Sequence, residues 1–425
     1  MTKDQHGAMQ YNTICVVGLG YIGLPTAAII ASHKKHVIGL DVNPDTVATI
    51  NRGEVHICEP DLDAMVKTVV AEGYLRATLT AEPADAFLVA VPTPFQSDHQ
   101  PDLQYIEAAA RAIAPVLQAG NIVILESTSP VGATELMAGW LAEARPDLTF
   151  PATDSEYPDI SIAHCPERVL PGHVLRELVS NDRVIGGLTS KCSDHAKALY
   201  RIFVEGDCIT TTARTAEMCK LTENSFRDVN IAFANELSII CAKLGIDVWE
   251  LVSLANLHPR VNILQPGPGV GGHCIAVDPW FIVSAAPQEA KLIRQAREVN
   301  DNKPHWVIAQ IGKAAAKINL SGRKPIVACL GLAFKANIDD LRESPALEIC
   351  RMLSESDNYE VLAVEPNVTG LPESLNGRVI LQSADVAIDH ADIVVLLVDH
   401  RAFRNILPDV LKDKQVIDTR GMWRS

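Results

Sequence analysis

Short apolar runs alternate with longer segments of helical spacing from Asn12 onward. Ile14–Val17, His36–Leu40, Ala86–Val91 and Asn121–Glu126 are compact runs that read as strands. Between them, Leu24–Ser32, Pro60–Glu72 and Leu103–Leu117 carry their apolar residues at helical spacing. Strands alternating with helices predict parallel βαβ units and a doubly wound sheet. The pattern continues to about Phe203 through Ile160–His164 and Arg183–Gly187.

The rhythm then changes. Thr215 reads as an N-cap, with Glu217 in the first turn, where negative charge is favoured. No glycine or proline follows until Gly245. A helix of about 30 residues would be roughly 45 Å long, too long for an ordinary crossover. It reads as a spine joining two domains and as a dimer core. Gln288–Asn300 and Pro304–Ile318 read as two further helices. After Ser321 the alternation returns, with strands at Ile326–Leu330, Val361–Val364, Ile393–Val398 and Gln415–Ile417 and a helix at Pro345–Leu353. The expected fold is α/β: two Rossmann-like doubly wound domains joined by a long central helix. The expected divisions are 1–205, 206–305 and 306–425.

Composition narrows the class. The chain has 425 residues, 48% of them hydrophobic, enough for two or three cores. A net charge of −15 argues against a nucleic-acid or membrane-surface binder. No apolar run approaches the ~20 residues of a membrane span. Met1–Gln10 lacks the apolar core of a signal peptide. Ten cysteines occur without Cys-x-x-Cys pairs or zinc-site spacing. They read as reduced thiols of a cytoplasmic protein, and no metal site is expected.

Gly18-Leu19-Gly20-Tyr21-Ile22-Gly23 follows the first strand and opens a helix, and Asp41 closes the second strand. The glycines allow a tight turn, close approach of a pyrophosphate and close helix packing. The helix N-terminus offers amides to phosphate. Asp41 would accept bonds from ribose hydroxyls, and Val42-Asn43-Pro44 provides no arginine for a 2′-phosphate, so NAD is favoured over NADP. Thr93 and Thr128 end the next strands, where ligands of open α/β sheets bind. Each is equally explained as strand-end punctuation.

Glu167 in Cys165-Pro166-Glu167-Arg168 either relays protons or forms a surface ion pair with a neighbouring base. Glu217, Lys220, Asn224 and Arg227 share one helix face. That face is either the wet side of the helix or a set of groups serving charge on a reacting oxygen. Cys274 ends a loop with four glycines between Gly267 and Gly272. A thiol there could trap an aldehyde as a thiohemiacetal, which loses a second hydride to become a thioester. The bland alternative is one more inert cysteine. His273 adjoins it without any implied pairing. Asp278 either orients a water or Lys220, or caps the turn at Pro279.

These motifs, in this order, resemble the UDP-glucose/GDP-mannose dehydrogenase family from Gly18 to about Arg424. The specific elements are Gly-Leu-Gly-Tyr-Ile-Gly-Leu-Pro, Glu-Ser-Thr-Ser-Pro-Val-Gly, Glu-Met-Cys-Lys-Leu-Thr-Glu-Asn and Gly-Val-Gly-Gly-His-Cys-Ile-Ala-Val-Asp-Pro. Cys165–Gly172, His258–Gly272 and Asp278-Pro-Trp-Phe-Ile-Val narrow the likeness to one bacterial subgroup. The resemblance implies Cys274 as nucleophile and Lys220 as general acid/base, assisted by Asn224 and Asp278, with Glu167 and Thr128 completing the site. It implies a dinucleotide held by Gly18, Gly20, Tyr21, Ile22, Gly23, Asp41, Thr93 and Thr128. It implies a nucleotide sugar held by Arg168, Val169, Lys220, Asn224, Arg227, His258, Arg260, Gly271, Lys335 and Arg342. The implied activity is oxidation of a sugar 6-hydroxyl to a carboxylate with two NAD, in a homodimer or higher oligomer supplying a uronic acid for a surface polysaccharide. Two other readings stay open. A one-step 3-hydroxyacid dehydrogenase would need neither Cys274 nor the C-terminal domain, and a non-catalytic NAD-responsive binding protein leaves Cys274 and Lys220 unexplained.

Overall fold

A computed structural model describes residues 11–57, 59–96, 99–151, 158–170, 172–272, 274–318, 322–375 and 377–423. Met1–Gln10 and His273 therefore lie outside the described residues. The chain divides into two compact units, Met1–Glu223 and Asn224–Ser425.

The first unit begins with β1 (Thr13–Val17), α1 (Gly23–Ser32), β2 (His36–Leu40), α2 (Pro44–Asn51) and α3 (Leu62–Ala71). It continues through β3 (Leu75–Thr78), β4 (Ala86–Val89), α4 (Gln104–Ile113), β5 (Ile122–Leu125) and α5 (Ala133–Ala144). It closes with β6 (Ser161–His164), α6 (Val174–Ser180), β7 (Arg183–Gly187), α7 (Ser190–Tyr200) and β8 (Cys208–Thr212). The eight strands order as β3-β2-β1-β4-β5-β6-β7-β8. The inner strands β1, β2, β4 and β5 are apolar on both faces because helices cover both. One core packs Ile14, Val16, Leu88 and Ile124 against α1, and the other packs Cys15, Val17, Phe87 and Val123 against α4 and α5.

One pair departs from the expected parallel winding: β6 and β7 run antiparallel, with Ala163 opposite Gly187 and His164 opposite Gly186. The link between them contains the seven-residue helix α6, and β7 starts from the end of the sheet at which β6 finished.

Helix α8 (Ala213–Leu244) has 32 residues, and the division between the units falls within it. Its cap is not Thr215. The Thr212 hydroxyl accepts from the Thr215 N–H at 3.2 Å, so Thr212 occupies the cap and Glu217 lies beyond the first turn.

In the second unit follow α9 (Val248–Ala255), α10 (Asp278–Ala285) and α11 (Lys291–Ala315). The two helices expected around Pro304 are one. Pro304 removes one ladder bond, a cost of about 3 kcal/mol in an exposed helix. Here Pro304 is buried, and Val307 and Ile311 pack into the adjacent core, which holds the helix together. The last part contains β9 (Ile326–Leu330), α12 (Pro345–Glu355), β10 (Glu360–Val364), β11 (Val379–Leu381), α13 (Ala384–His390), β12 (Ile393–Leu396) and β13 (Gln415–Asp418). The parallel sheet orders as β11-β10-β9-β12-β13. Among the described residues, no helix is long and apolar enough to cross a membrane, and no group of three or more His, Cys, Asp or Glu could hold a metal.

Candidate functional site

The glycine turn follows β1 as the pattern requires. Gly18 has φ +88°, and a Cβ there would sit 2.6 Å from the Ala90 carbonyl oxygen. A Cβ on Gly23 would strike the Gly18 carbonyl at 1.8 Å, so the third glycine lets α1 press against the strand. A Cβ on Gly20 meets nothing within 4 Å. The second glycine is thus open on the side from which a pyrophosphate would approach. No side chain caps α1 and no acid lies in its first turn, which leaves this end fit for an anion. Tyr21 and Ile22 line the same turn.

Asp41 follows β2. Its Oδ2 accepts from the Leu19 N–H and its Oδ1 from the Asn43 N–H, both at 2.9 Å. The carboxylate is partly exposed and each oxygen keeps a lone pair, so it can also accept ribose hydroxyls. The Thr93 hydroxyl is buried without a protein hydrogen-bond partner, at the carboxyl end of the sheet. Thr128 lies half-buried in the loop between β5 and α5. That loop is tied to the one after β4, since Ser127 Oγ donates to the Val91 carbonyl at 2.6 Å. These features fit a dinucleotide.

Glu167 is not in a surface ion pair. It is buried, with Oε1 lacking a hydrogen-bond partner. Burial pushes its carboxyl up to about 7, against the opposing pull of the Lys220 and Arg183 charges. Arg168 instead pairs with Glu223 at 2.7 Å. A cleft of about 490 Å³ is lined by Arg168, Val169, Leu170, Lys220 and Glu223, among others. The first unit thus brings Glu167 and Lys220 within electrostatic reach of each other and sets Lys220 beside Arg168 and Val169. Glu217 is not on a wet face: it is 1% exposed and binds the N-terminus of α5.

In the second unit, Asn224 Nδ2 donates to Asp278 Oδ2 at 2.5 Å. Asp278 opens α10 and is buried, so it does not merely cap a surface turn. The Cys274 carbonyl accepts from the Val277 and Asp278 N–H groups at 3.0 and 2.8 Å. Cys274 therefore begins the tight turn that leads into α10, and its side chain is half-buried. Gly271 has a packing reason: a Cβ there would lie 2.4 Å from the Glu343 carbonyl oxygen. Arg227, His258, Arg260, Lys335 and Arg342 are exposed. The His258 ring accepts from the Arg260 N–H at 3.3 Å, and Arg342 pairs with Asp340 at 2.6 Å.

Sequence reasoning missed two features of this unit. Arg420 pairs with Asp399, and its guanidinium covers Gly267: a Cβ there would meet Nη1 at 2.5 Å. Glu365 follows β10 as Asp41 follows β2, and Gly331 turns with φ +92° as Gly18 does. Glu365 accepts from the Leu332, Ala333 and Asn367 N–H groups, from Asn367 Nδ2 and from the His400 ring. Burial would raise its pKa, but His400 and the backbone donors outweigh it and hold it down to about 2.

A dinucleotide turn in the first unit and a second Rossmann-like sheet without that turn define an NAD-dependent dehydrogenase with a separate ligand domain. Three family models cover the chain: the UDP-glucose/GDP-mannose dehydrogenase NAD-binding domain over 12–204, its central domain over 214–302 and its UDP-binding domain over 328–425. The chain belongs to the UDP-glucose/GDP-mannose dehydrogenase family. It is 64% identical over 98% of its length to the NDP-N-acetyl-D-galactosaminuronic acid dehydrogenase of Ralstonia nicotianae, covering 97% of that protein. It is 62% identical over 98% of its length to the UDP-N-acetyl-D-mannosamine dehydrogenase of Escherichia coli K12, covering all of it. Among solved structures, the UDP-D-ManNAc dehydrogenase of Pyrococcus horikoshii matches with a TM-score of 0.88 at 40% identity, over 97% of this chain and 96% of that one.

Proposed function

We propose that the chain oxidises the 6-hydroxyl of UDP-N-acetyl-D-mannosamine to the carboxylate, giving UDP-N-acetyl-D-mannosaminuronate through a covalent Cys274 adduct. The observation that carries this reading is Cys274 at the head of a turn whose last residue, Asp278, is held by Asn224. The relative from Escherichia coli supports the choice of sugar.

Bound NAD supplies the hydride acceptor for each of two oxidations. Lys220 takes the proton of the sugar 6-hydroxyl as the first hydride leaves, and C6 becomes an aldehyde. The Cys274 sulfur then adds to C6, and Lys220 and Asn224 stabilise the oxyanion of the thiohemiacetal. Loss of the second hydride leaves a thioester. A water oriented by Asp278, with Glu167 as proton acceptor, cleaves the C–S bond and releases the carboxylate and the thiol. Thr128 holds the nicotinamide side of the site. Gly18, Gly20, Tyr21, Ile22, Gly23, Asp41 and Thr93 hold the rest of the dinucleotide. Arg168, Val169, Arg227, His258, Arg260, Gly271, Lys335 and Arg342 hold the nucleotide sugar.

We further assign the chain to the cytoplasm, where its thiols stay reduced, and to a homodimer. Phe226, Phe233, Ile240 and Leu244 project from α8 at 71%, 54%, 43% and 64% exposure. Their spacing of seven, seven and four is that of a helix-packing seam.

The test is a panel of UDP- and GDP-sugars with NADH counted per acid formed. Two NADH from UDP-N-acetylmannosamine, with higher kcat/KM than for UDP-glucose or UDP-N-acetylglucosamine, is the expected result. The relative from Ralstonia favours a second reading, the N-acetylgalactosamine isomer. Preference for that isomer would replace the sugar and keep the chemistry. One NADH per turnover would overturn the covalent mechanism.

A further inference from the structure

The glycine loop that leads to Cys274 has little stiffness of its own. Glycine loses more backbone freedom on ordering than any other residue. Gly269 and Gly272 have φ +150° and +85°. A Cβ on Gly269 would lie 2.8 Å from Pro345 Cβ and 3.3 Å from the Asn300 carbonyl oxygen. Such a segment keeps one geometry only if outside groups hold its ends. The end at Asp278 is held by Asn224. The other end is held by a residue that the mechanism does not use.

Asn235 is fully buried on α8, and its Oδ1 accepts from the Gly267 N–H at 2.8 Å. Its Nδ2 donates to Asn300 Oδ1 at 2.9 Å. Asn300 Nδ2 in turn donates to Asp228 Oδ1 at 2.8 Å and to the Asp228 carbonyl at 3.1 Å. Arg297 Nη1 completes the chain on Asp228 Oδ1 at 2.6 Å. The direction of this relay is dictated by its anchor. A carboxylate only accepts, so Asn300 must turn its NH₂ to Asp228 and its oxygen to Asn235. Asn235 must then donate to Asn300, and its remaining oxygen faces Gly267. Residues 224, 228 and 235 fall within about 40° of one another around a helix of 3.6 residues per turn. One buried polar face of α8 thus holds both ends of the cysteine segment, about 16 Å apart along the axis.

We propose that Asn235 is a positioning residue for Cys274, fixing the start of the glycine loop through the Gly267 N–H as Asn224 fixes its end through Asp278. The proposal rests on the reading of Cys274 as the nucleophile. The Asp228–Arg297–Asn300 chain orients the Asn235 amide. A thiol displaced by about 1 Å loses on the order of a hundredfold in rate, so this bond acts on chemistry and not only on stability.

The test compares Asn235→Leu, Asn235→Asp and Ser238→Ala, the last a change one turn further on, at a residue whose hydroxyl bonds the Asn235 carbonyl and Lys303 and neither Gly267 nor Asn300. Three quantities are read: steady-state kcat with UDP-N-acetylmannosamine, KM for NAD, and the rate of Cys274 alkylation by iodoacetamide, followed by mass spectrometry of its peptide. Asn235→Leu should lose about tenfold or more in kcat, shift the alkylation rate by about threefold or more, and leave KM for NAD within about twofold. Ser238→Ala should lower the melting temperature and leave kcat and alkylation within about twofold of the wild type. Asn235→Asp adds a pH signature. Its protonated form can donate to Asn300 and accept from Gly267, whereas its carboxylate faces the Asn300 oxygen. Its kcat and alkylation rate, each relative to wild type at the same pH, should therefore recover as pH falls from about 8 to about 6. A flat ratio for Asn235→Asp, or wild-type alkylation in Asn235→Leu, overturns the positioning role. Full two-NADH turnover by Cys274→Ala would instead overturn the reading of Cys274, and is told apart because alkylation does not depend on turnover.

Discussion

Glu217 of α8 caps a different helix, accepting at Oε1 from the Thr134 N–H at 2.8 Å and at Oε2 from the Gly132 N–H at 2.6 Å. The Thr134 hydroxyl adds a third bond at 2.6 Å. Gly132, the N-cap of α5, has no side chain to do this. The carboxylate also fits the positive end of that helix. It ties the Thr128 loop to α8 one turn before Lys220.

Glu217→Ala should therefore destabilise the protein by about 1–3 kcal/mol for each buried donor left unpaired. Denaturant unfolding gives the loss. Faster hydrogen exchange at Gly132 and Thr134 would locate it, and unchanged exchange there would show that the cap is not what was lost.

Glu167 carries a pH dependence of known sign. Its folded pKa of about 7 lies above the ordinary 4.5, so the folded state binds the proton more tightly. Its contribution to stability is complete below about 4.5 and lost as pH rises through about 7. The difference of about 2.5 pK units corresponds to roughly 3 kcal/mol. Glu167→Gln should gain stability relative to wild type at pH 8 compared with pH 4. If Glu167 is the proton acceptor in hydrolysis, kcat should rise with an apparent pKa near 7, and that limb should vanish in the same variant.

Asp41 serves two masters. Asp41→Ala should reduce discrimination against NADP, because the charge opposing a 2′-phosphate is gone. It should also weaken NAD binding, since the Leu19 and Asn43 amides lose their acceptor. Equal kcat/KM for NAD and NADP in the wild type would refute the assignment.

Lys335 is exposed after β9, where a pyrophosphate cation is expected. Lys335→Ala should raise KM for the sugar nucleotide by the loss of about 1.5–3 kcal/mol of charge-assisted bonding. KM for NAD should stay near normal. The reverse pattern would show that Lys335 serves the dinucleotide and not the sugar nucleotide.

The apolar seam on α8 predicts its own lesion. Phe233→Arg places a charge at the middle of the seam and should shift the protein toward monomer in light scattering. A variant with wild-type mass would place the interface elsewhere.

Among the strands, the inner ones were all legible, and of the edge strands only β13 was, through Val416 and Ile417. The inner strands at 14–17, 36–40, 86–89, 122–125 and 326–330 are flanked on both faces, so their apolar runs announced them. The missed strands β3, β8 and β11 are all at sheet edges, where one side is solvated and residues such as Arg76, Thr210 and Thr211 break the run. Pro304 reads in the sequence as the start of a separate helix because its local cost inside one is visible there, and the core that offsets that cost is not. At the site, the glycine turn and Asp41 were legible because their spacing carries the geometry. The burial of Glu167 and the bonds of Glu217 and Asn235 were not, since each depends on a residue tens of positions away.

The saturated carboxylate of Glu365 bears on ligand traffic. Where Asp41 keeps capacity for a ribose, Glu365 is engaged by five donors from its own chain. The five-stranded second sheet repeats the first strand, tight turn and following acid of the first sheet, but that acid is left without capacity for a ribose. The chain is then expected to take up one dinucleotide at a time, so a four-electron oxidation must pause halfway for exchange. In the covalent mechanism proposed above, a sugar tethered to sulfur during that pause would not diffuse away as a reactive aldehyde. Retention of the half-oxidised intermediate would thus be a consequence of a site that the second sheet does not offer.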